Sequence, residues 1–280
     1  MNLESKLLKE SWITPNQFIK AREEQKKTGK SLYSNIIKLG FLTEEDIFRF
    51  FAQSAKLLYV KISDYRIKED LFGLFPEQFY REHLFLPLFK IEDTLYVGMA
   101  NPLNTDLINT LGLQTNFDVT PLFSCPSAIL KVINQVFGPD DKYFDLEDLI
   151  ITLGTIQNLA LWRESERLRI NLAIELKPRD ERINLVSSAY IPATVCDVSS
   201  NGKAMGIRTF IFIPSQIKLL VKFPSKDPSY EAEAEVVHCD MEKKGKYFFG
   251  IKFEEIKPAL AESIVAEATQ PPPSGYKPGP

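Results

Sequence analysis

The chain has 280 residues, enough for two domains, and its 44% hydrophobic and 25% charged residues are typical of a soluble globular protein. A net charge of −3 and a pI of about 5.7 exclude a general attraction to duplex nucleic acid or an anionic membrane, so an anionic ligand needs a local basic cluster. Three scattered cysteines argue against a disulfide framework, and no apolar run has signal-peptide or membrane-span length, so we expect a soluble intracellular protein.

The first 54 residues contain a degenerate repeat, in which residues 2–25 superpose on residues 31–54 with a shift of 29. Within each unit the apolar residues recur at helical spacing, as one buried helix face requires. Thr14 before proline, and Thr43 before three acidic residues, are typical N-caps. We therefore predict a bundle of four helices within residues 1–56. The matched apolar pairs are Leu3 and Leu32, Leu7 and Ile36, Ile13 and Leu42, and Phe18 and Ile47.

Residues 57–138 mix strand-like and helix-like segments and indicate an α+β subdomain. Strands are predicted for LLYVKI, TLYVGMA and FDVTPLF, and helices for KEDLFGLFPEQFYREH and CPSAILKVINQVF. The turn ANPLNT is expected to open a further helix. An acidic stretch with Gly and Pro, GPDDKYFDLED, then predicts a boundary, and we interpret residues 139–160 as a linker.

From residue 168 the pattern is nearly all β, with five segments of alternating, β-branched or aromatic residues. Five or six antiparallel strands and a short helix over Pro258–Ala268 indicate a small barrel, so the fold class is multidomain α+β. The alternation in YEAEAEVV suits an edge strand with one wet face. Residues 269–280 are predicted to be a disordered tail. The five strand segments are LRINLAIEL, SAYIPATVCDVS, SQIKLLVKF, YEAEAEVVHC and KYFFGIKFEEI.

Signatures of catalysis and metal binding are weak throughout. The TGKS segment lacks the first glycine of a Walker A loop, because that position is Glu24, so we interpret it as a turn between helices. The two histidines, His83 and His238, are far apart in sequence, which disfavours a closed metal site. No G-x-S-x-G nucleophile elbow occurs. We therefore expect no enzymatic activity, metal or cofactor.

Two short motifs carry the candidate chemistry. Arg163 and Arg167 lie four residues apart just before the first barrel strand, and Asp197, Ser199 and Gly202 follow a later strand. Each motif alone has an ordinary explanation, because the arginines can pair with neighbouring glutamates and Asp, Ser and Gly are common turn residues. Two guanidinium groups can instead hold a phosphate or a guanine, and the two motifs in this order on one barrel are more specific than either alone.

The two motifs and their flanking strands resemble the PilZ domain family over about residues 161–265, within a predicted domain of residues 161–268, which implies a six-stranded barrel that binds cyclic di-GMP. The resemblance assigns ligand contacts to Arg163, Arg167, Asp197, Ser199 and Gly202. The residue chemistry agrees, since arginine suits phosphate and guanine, and a carboxylate accepts from guanine N1 and N2. Further possible contacts are Trp162, for which interdomain packing is an alternative, Arg169 and Asn201.

Residues 1–138 resemble the N-terminal domain of type II secretion and type IV pilus ATPases, called MshEN in its nucleotide-binding form. That form has Arg-Leu-Gly at the start of each repeat, a mid-repeat Gly and a final Gln. Here the apolar frame is kept and the ligand-binding positions are degenerate, so we interpret the domain as a docking module. The corresponding positions are Asn2-Leu3-Glu4 and Ser31-Leu32-Tyr33, then Ser11 and Gly40, then Gln25 and Ser54.

The resemblances imply a non-enzymatic cyclic di-GMP effector of the bacterial cytoplasm. Ligand binding at the barrel would change the interdomain arrangement and signal to an unidentified protein partner through the N-terminal domain, in motility, type IV pili, secretion or polysaccharide production. The alternative is a ligand-independent adaptor in a pilus or secretion assembly. Neither hypothesis involves duplex nucleic acid or a membrane span.

Overall fold

The structure is a computed structural model that describes residues 3–140, 146–154, 168–186, 190–199, 202–224, 230–242 and 246–269. Its contacts divide the chain into two compact units. The first takes in Met1–Leu161 with two short segments, Arg182–Val186 and Met241–Gly245, and the second takes in the remaining residues. No helix within the described ranges is long and apolar enough to cross a membrane.

The N-terminal repeat consists of four helices, as predicted: α1 (Leu3–Lys9), α2 (Pro15–Thr28), α3 (Leu32–Lys38) and α4 (Glu44–Ala55). Helices α2 and α4 begin with capping boxes, in which Thr14 and Thr43 exchange hydrogen bonds with the third residue of the helix. The TGKS segment forms the turn between α2 and α3, and Gly29 ends α2 at a φ of 70°. The matched apolar residues of the two halves of the repeat pack together in one core.

The rest of the first unit is built around a three-stranded sheet. Its elements are α5 (Glu69–Phe72), α6 (Glu77–His83), β1 (Phe85–Ile91), β2 (Thr94–Met99), α7 (Thr105–Thr115), β3 (Asp118–Phe123) and α8 (Pro126–Phe137). The strand order is β1-β2-β3, with β1 antiparallel and β3 parallel to β2. Helix α7, which starts at the predicted ANPLNT turn, makes the crossover that a parallel pair requires.

The prediction of a strand over LLYVKI is wrong. Tyr59 forms an isolated bridge with Phe123, and the neighbouring Val60 N–H donates to the Phe123 carbonyl oxygen at 2.7 Å. The chain then enters a 3-10 helix at Ile62–Asp64, where the Asp64 N–H bonds back to the Lys61 carbonyl oxygen. The buried apolar residues of LLYVKI thus pack beside the sheet, although they do not form one of its strands.

Two further features of this region differ from the sequence interpretation. The single helix predicted over residues 68–83 is two short helices. Helix α5 ends at Phe72 with Gly73 as its C-cap, and Pro76, which has no N–H to donate, is the N-cap of α6. Strand β1 was not predicted. Its residues are almost continuously buried, so they lack the alternation that marks a strand with one face in water.

Helix α9 (Leu146–Leu153) lies within the stretch interpreted as a linker. Ile150 and Leu153 are fully buried in the core of the helical repeat. The Glu147 carboxylate accepts a hydrogen bond from the backbone N–H of Ser31, the N-cap of α3. The remaining predicted linker residues 141–145 and 155–160 lie outside the described ranges. The core of the N-terminal repeat is therefore completed by a later part of the chain.

The second unit is a closed antiparallel barrel of six strands, which confirms the predicted fold class. The strands are β4 (Leu168–Pro178), β5 (Ile191–Val198), β6 (Ala204–Thr209), β7 (Lys218–Lys222), β8 (Glu231–Met241) and β9 (Tyr247–Phe253), in the spatial order β4-β5-β6-β9-β8-β7. Alternate residues fill the interior, as Tyr247, Phe249 and Ile251 of β9 illustrate. The predicted final helix is α10 (Pro258–Thr269).

Some details of the barrel differ from the sequence interpretation. Strand β6 was not predicted, because its six residues directly follow the motif turn and include a glycine, Gly206. Strand β8 shows the expected alternating burial, but it lies between β7 and β9 and is not an edge. Residues 270–280 of the predicted tail lie outside the described residues.

Candidate functional site

Ser199 is the centre of the turn that joins β5 to β6. Its N–H donates to the Ala204 carbonyl oxygen at 2.9 Å, and its hydroxyl oxygen accepts from the Ala204 N–H at 3.0 Å. The Gly202 N–H donates to the Ser199 carbonyl oxygen at 2.9 Å. Gly202 has a φ of 69°, in the left-handed region that favours glycine. Both residues are therefore needed to shape the turn.

Helix α10 packs directly on this turn. A Cβ placed on Gly202 would lie 2.9 Å from the Cβ of Ala261 and 3.1 Å from its Cα and carbonyl oxygen. Both residues are buried. The glycine at this position is thus required twice, by its backbone conformation and by the close approach of the helix.

Asp197 lies at the end of β5, on the outer face of the barrel. It pairs with Arg169 of β4 on one side and with Gly206 of β6 on the other. A Cβ on Gly206 would lie 2.6 Å from both Asp197 carboxylate oxygens. The carboxylate therefore lies flat over the glycine, half-buried, where its oxygens can accept hydrogen bonds from a ligand at the surface.

The structure brings together three of the predicted contact residues, Asp197, Ser199 and Gly202, within one turn and the strand before it. Arg169 contributes the backbone that pairs with Asp197. The remaining predicted residues, Trp162, Arg163, Arg167 and Asn201, lie outside the described residues.

The residues that surround Asp197 on the outer face were not predicted from the sequence. Gly206 pairs in register with Gly250 of β9, and the side chains of Phe248 and His238 lean over these two glycines. The alternation in YFFGIKF was a usable signal, because an aromatic residue at an outward position has no core to fill.

In the N-terminal repeat, two of the positions at which the resemblance implies ligand contacts, Glu4 and Ser31, bind other residues of the chain. Glu4 forms an ion pair with Arg22, and Glu147 binds the N–H of Ser31. A cavity of about 350 Å³ lies beside them and is lined in part by Tyr33, whose hydroxyl is buried with no hydrogen-bond partner among the described residues. Burial raises the pKa of this hydroxyl.

Metal ligation and thiol chemistry find little support in the described part of the chain. There, no group of three or more His, Cys, Asp or Glu side chains is arranged to hold a metal ion. The three cysteines are free thiols. Burial raises the pKa of the Cys125 thiol to about 12, so the thiolate is scarce at neutral pH.

Comparison with known proteins identifies two families in succession. Residues 55–142 match the model of the MshEN domain, and residues 162–270 match that of the PilZ domain. The chain therefore carries an MshEN match followed by a PilZ match. As families, MshEN and PilZ domains bind cyclic di-GMP and do not catalyse a reaction. The motif turn lies in the PilZ match, and the MshEN match begins after the helical repeat.

The individual proteins that this chain resembles are distant from it in sequence. The type IV pilus assembly ATPase PilB of Myxococcus xanthus is 24% identical over 148 residues, which are 53% of this chain and 26% of the relative, so the chain spans about a quarter of that protein. The structure of MshE with cdg has 25% identity and a TM-score of 0.40, covering 49% of this chain and 99% of that one. Borreliella burgdorferi PlzA in complex with c-di-GMP has 9% identity and a TM-score of 0.23, with 35% and 44% covered.

Proposed function

We propose that the protein is a cyclic di-GMP receptor whose PilZ barrel binds the dinucleotide through Arg163, Arg167, Asp197, Ser199 and Gly202. The observation that carries the proposal is the turn after β5, which gathers the last three of these residues inside the PilZ match. Leu168, the first residue of β4, pairs with Val198, the last residue of β5 before the motif turn. Arg167 directly precedes Leu168 in the sequence.

The ligand's chemistry matches these residues. Two phosphodiesters carry two negative charges, and a protein with a net charge of −3 must meet them with local cations. Arginine can bind a phosphate or the O6 and N7 atoms of guanine with two parallel hydrogen bonds. The Asp197 carboxylate can accept from the N1 and N2 hydrogens of the same base.

Calorimetric titration of cyclic di-GMP into the full-length protein tests the proposal. The Arg163→Ala/Arg167→Ala variant should lose more than about tenfold in affinity, because each charged hydrogen bond contributes roughly 1.5–3 kcal/mol. The matched control is Arg179→Ala/Arg182→Ala, which removes the same charge beyond the other end of β4 and should bind like the wild type. Absence of binding by the wild type would reject the receptor function.

We further propose that ligand binding changes the arrangement of the two domains and that the N-terminal domain passes the change to a protein partner in motility, pili, secretion or polysaccharide production. The pilus ATPase relative supports the choice of process. Such coupling requires the ligand to bind one arrangement more tightly than another. Small-angle scattering with and without cyclic di-GMP should therefore give different profiles, and identical profiles would reject the switch while leaving ligand binding intact.

A ligand-independent adaptor is the second candidate function. It is favoured by the N-terminal repeat, where Glu4 and Ser31, two positions at which the resemblance implies ligand contacts, instead contact Arg22 and Glu147 of the same chain. A protein partner that binds the full-length chain equally well with and without cyclic di-GMP would support this alternative.

A further inference from the structure

Two glycines on neighbouring strands leave two adjacent positions on the outer face of the barrel without side chains. Gly206 of β6 pairs in register with Gly250 of β9. A Cβ on Gly206 would lie 2.5 Å from Cζ of Phe248, and a Cβ on Gly250 would overlap the imidazole ring of His238. Because both glycines lack side chains, Phe248 and His238 can lean across them, as the Asp197 carboxylate does.

Phe248 and His238 together form an aromatic surface beside that carboxylate. Their ring centroids lie 6.2 Å apart at an interplanar angle of 48°, and both side chains are half-buried. The core does not use Phe248, because alternation along β9 directs its buried neighbours Tyr247 and Phe249 into the barrel. The large apolar ring of Phe248 thus lies at the surface, and packing in the core does not explain why it is there.

We propose that Phe248 is the stacking surface for the guanine base whose Watson–Crick edge meets Asp197, and that His238 extends this surface. The inference rests on the proposed function and specifies how one base is read. A carboxylate beside an aromatic ring can bind the edge of a base while the ring covers its face. Guanine presents two adjacent donors, N1–H and N2–H, to the carboxylate, whereas adenine presents a donor beside an acceptor.

The neighbouring strand supports the assignment. Arg208 of β6 is the cross-strand partner of Phe248 and lies on the same outer face. It adds a cation to a surface that already has a carboxylate and an aromatic ring. In a guanine nucleotide the phosphate can bind the cation, the base edge can bind the carboxylate, and the base face can stack on the ring.

The experiment is calorimetric titration of cyclic di-GMP into the full-length wild type and into Phe248→Leu and Phe248→Tyr. Leucine keeps the apolar character and removes the ring, so affinity should fall about tenfold or more. Tyrosine keeps the ring and should retain wild-type affinity. The matched control is Phe210→Leu, which removes a 62% exposed ring just beyond the other end of β6 and should leave binding unchanged.

The outcomes separate this inference from the proposed function. If the wild type binds cyclic di-GMP and Phe248→Leu binds it equally well, the stacking role is wrong and the proposed receptor function stands. An equal loss in Phe210→Leu would also overturn it, because the effect would not belong to this site. A wild type that does not bind would reject both.

A second measurement avoids dependence on the folding of the leucine variant. In wild-type protein with isotope-labelled phenylalanine rings, cyclic di-GMP should shift the Phe248 ring resonances through the ring current of the base. The Phe248→Tyr variant, which lacks those signals, assigns them. Unshifted Phe248 resonances at a saturating ligand concentration would overturn the inference.

Discussion

Gly202 of the motif turn lies directly against Ala261 of helix α10, with 2.9 Å separating the position of a Cβ on the glycine from the Cβ of the alanine. Gly202→Ala should therefore lower the melting temperature of the barrel. The left-handed φ costs roughly 1–2 kcal/mol for a residue with a Cβ, and the contact with α10 adds to it. The measurement is thermal or urea unfolding followed by circular dichroism.

Gly29→Ala is the matched control for that variant, because Gly29 has the same positive φ of 70° with nothing within 4 Å of the added Cβ. It should cost less than Gly202→Ala. Equal costs would show that α10 yields to the added methyl group. Loss of ligand binding in Gly202→Ala is then explained by the fold, and does not by itself identify Gly202 as a ligand contact.

Asp197 and Ser199 should respond differently to substitution. Asp197→Asn keeps the side-chain shape and removes the charge, so we expect weaker cyclic di-GMP binding with little change in melting temperature. Ser199→Ala removes the acceptor for the Ala204 N–H and should also destabilise the turn by about 0.5–1.5 kcal/mol. Parallel titration and unfolding of the two variants distinguish these effects, and wild-type affinity in Asp197→Asn would contradict the role of the carboxylate.

Helix α9 should contribute to the stability of the N-terminal unit. Leu153 is fully buried in the repeat core, so Leu153→Ala should cost about 2–5 kcal/mol in the free energy of unfolding. Ile151 of the same helix is 53% exposed, and Ile151→Ala should change stability by less than about 0.5 kcal/mol. Unfolding of both variants in urea checks the difference, and equal stabilities would show that α9 does not hold the core together.

Asp64 predicts a specific pH dependence of stability. Burial raises the pKa of its carboxyl above the ordinary value, and the charge of Glu45 raises it further, while Lys61 and Arg49 lower it. A raised pKa in the folded state means that the group favours folding when it is protonated, and that this contribution is lost as the pH rises through the folded-state value.

The test of this dependence is Asp64→Asn, which is neutral at every pH. It should melt at a higher temperature than the wild type at pH 7 and approach the wild type as the pH falls below the ordinary Asp value of about 4. Melting curves from pH 3 to 7 provide the comparison. A variant less stable than the wild type at pH 7 would show that the carboxylate's interactions with Lys61 and Arg49 outweigh its burial.

Periodicity predicted the elements whose burial is one-sided. The repeat helices have one apolar face, with Thr14 and Thr43 marking two helix starts, and the barrel strands alternate between core and solvent. The predictions failed where a segment is buried on both sides, as in β1, or where burial arises without a strand ladder, as around Tyr59. In those places the partner lies far away in sequence, and local pattern carries no information about it.

The candidate site divides in the same way. Asp197, Ser199 and Gly202 were found because their spacing is local and forms a turn. Phe248 and Gly250 come from a strand that follows the motif by more than forty residues, and the pairing of β9 with β6 places them beside Asp197. Similarly, α9 was interpreted as part of a linker, since its apolar positions gain a partner from the distant repeat.

Barrel closure also limits how a protein partner can bind. Over its described strands the order β4-β5-β6-β9-β8-β7 returns to its start, so the barrel offers no unpaired backbone edge to which a partner could add a strand. Edge strands exist in the sheet of the other unit, where β1 carries Pro87 at a register shift. A partner that responds to the state of the barrel must therefore contact its side chains and turns. The side chains on the barrel surface, and not β-augmentation, would then determine which partner the barrel binds.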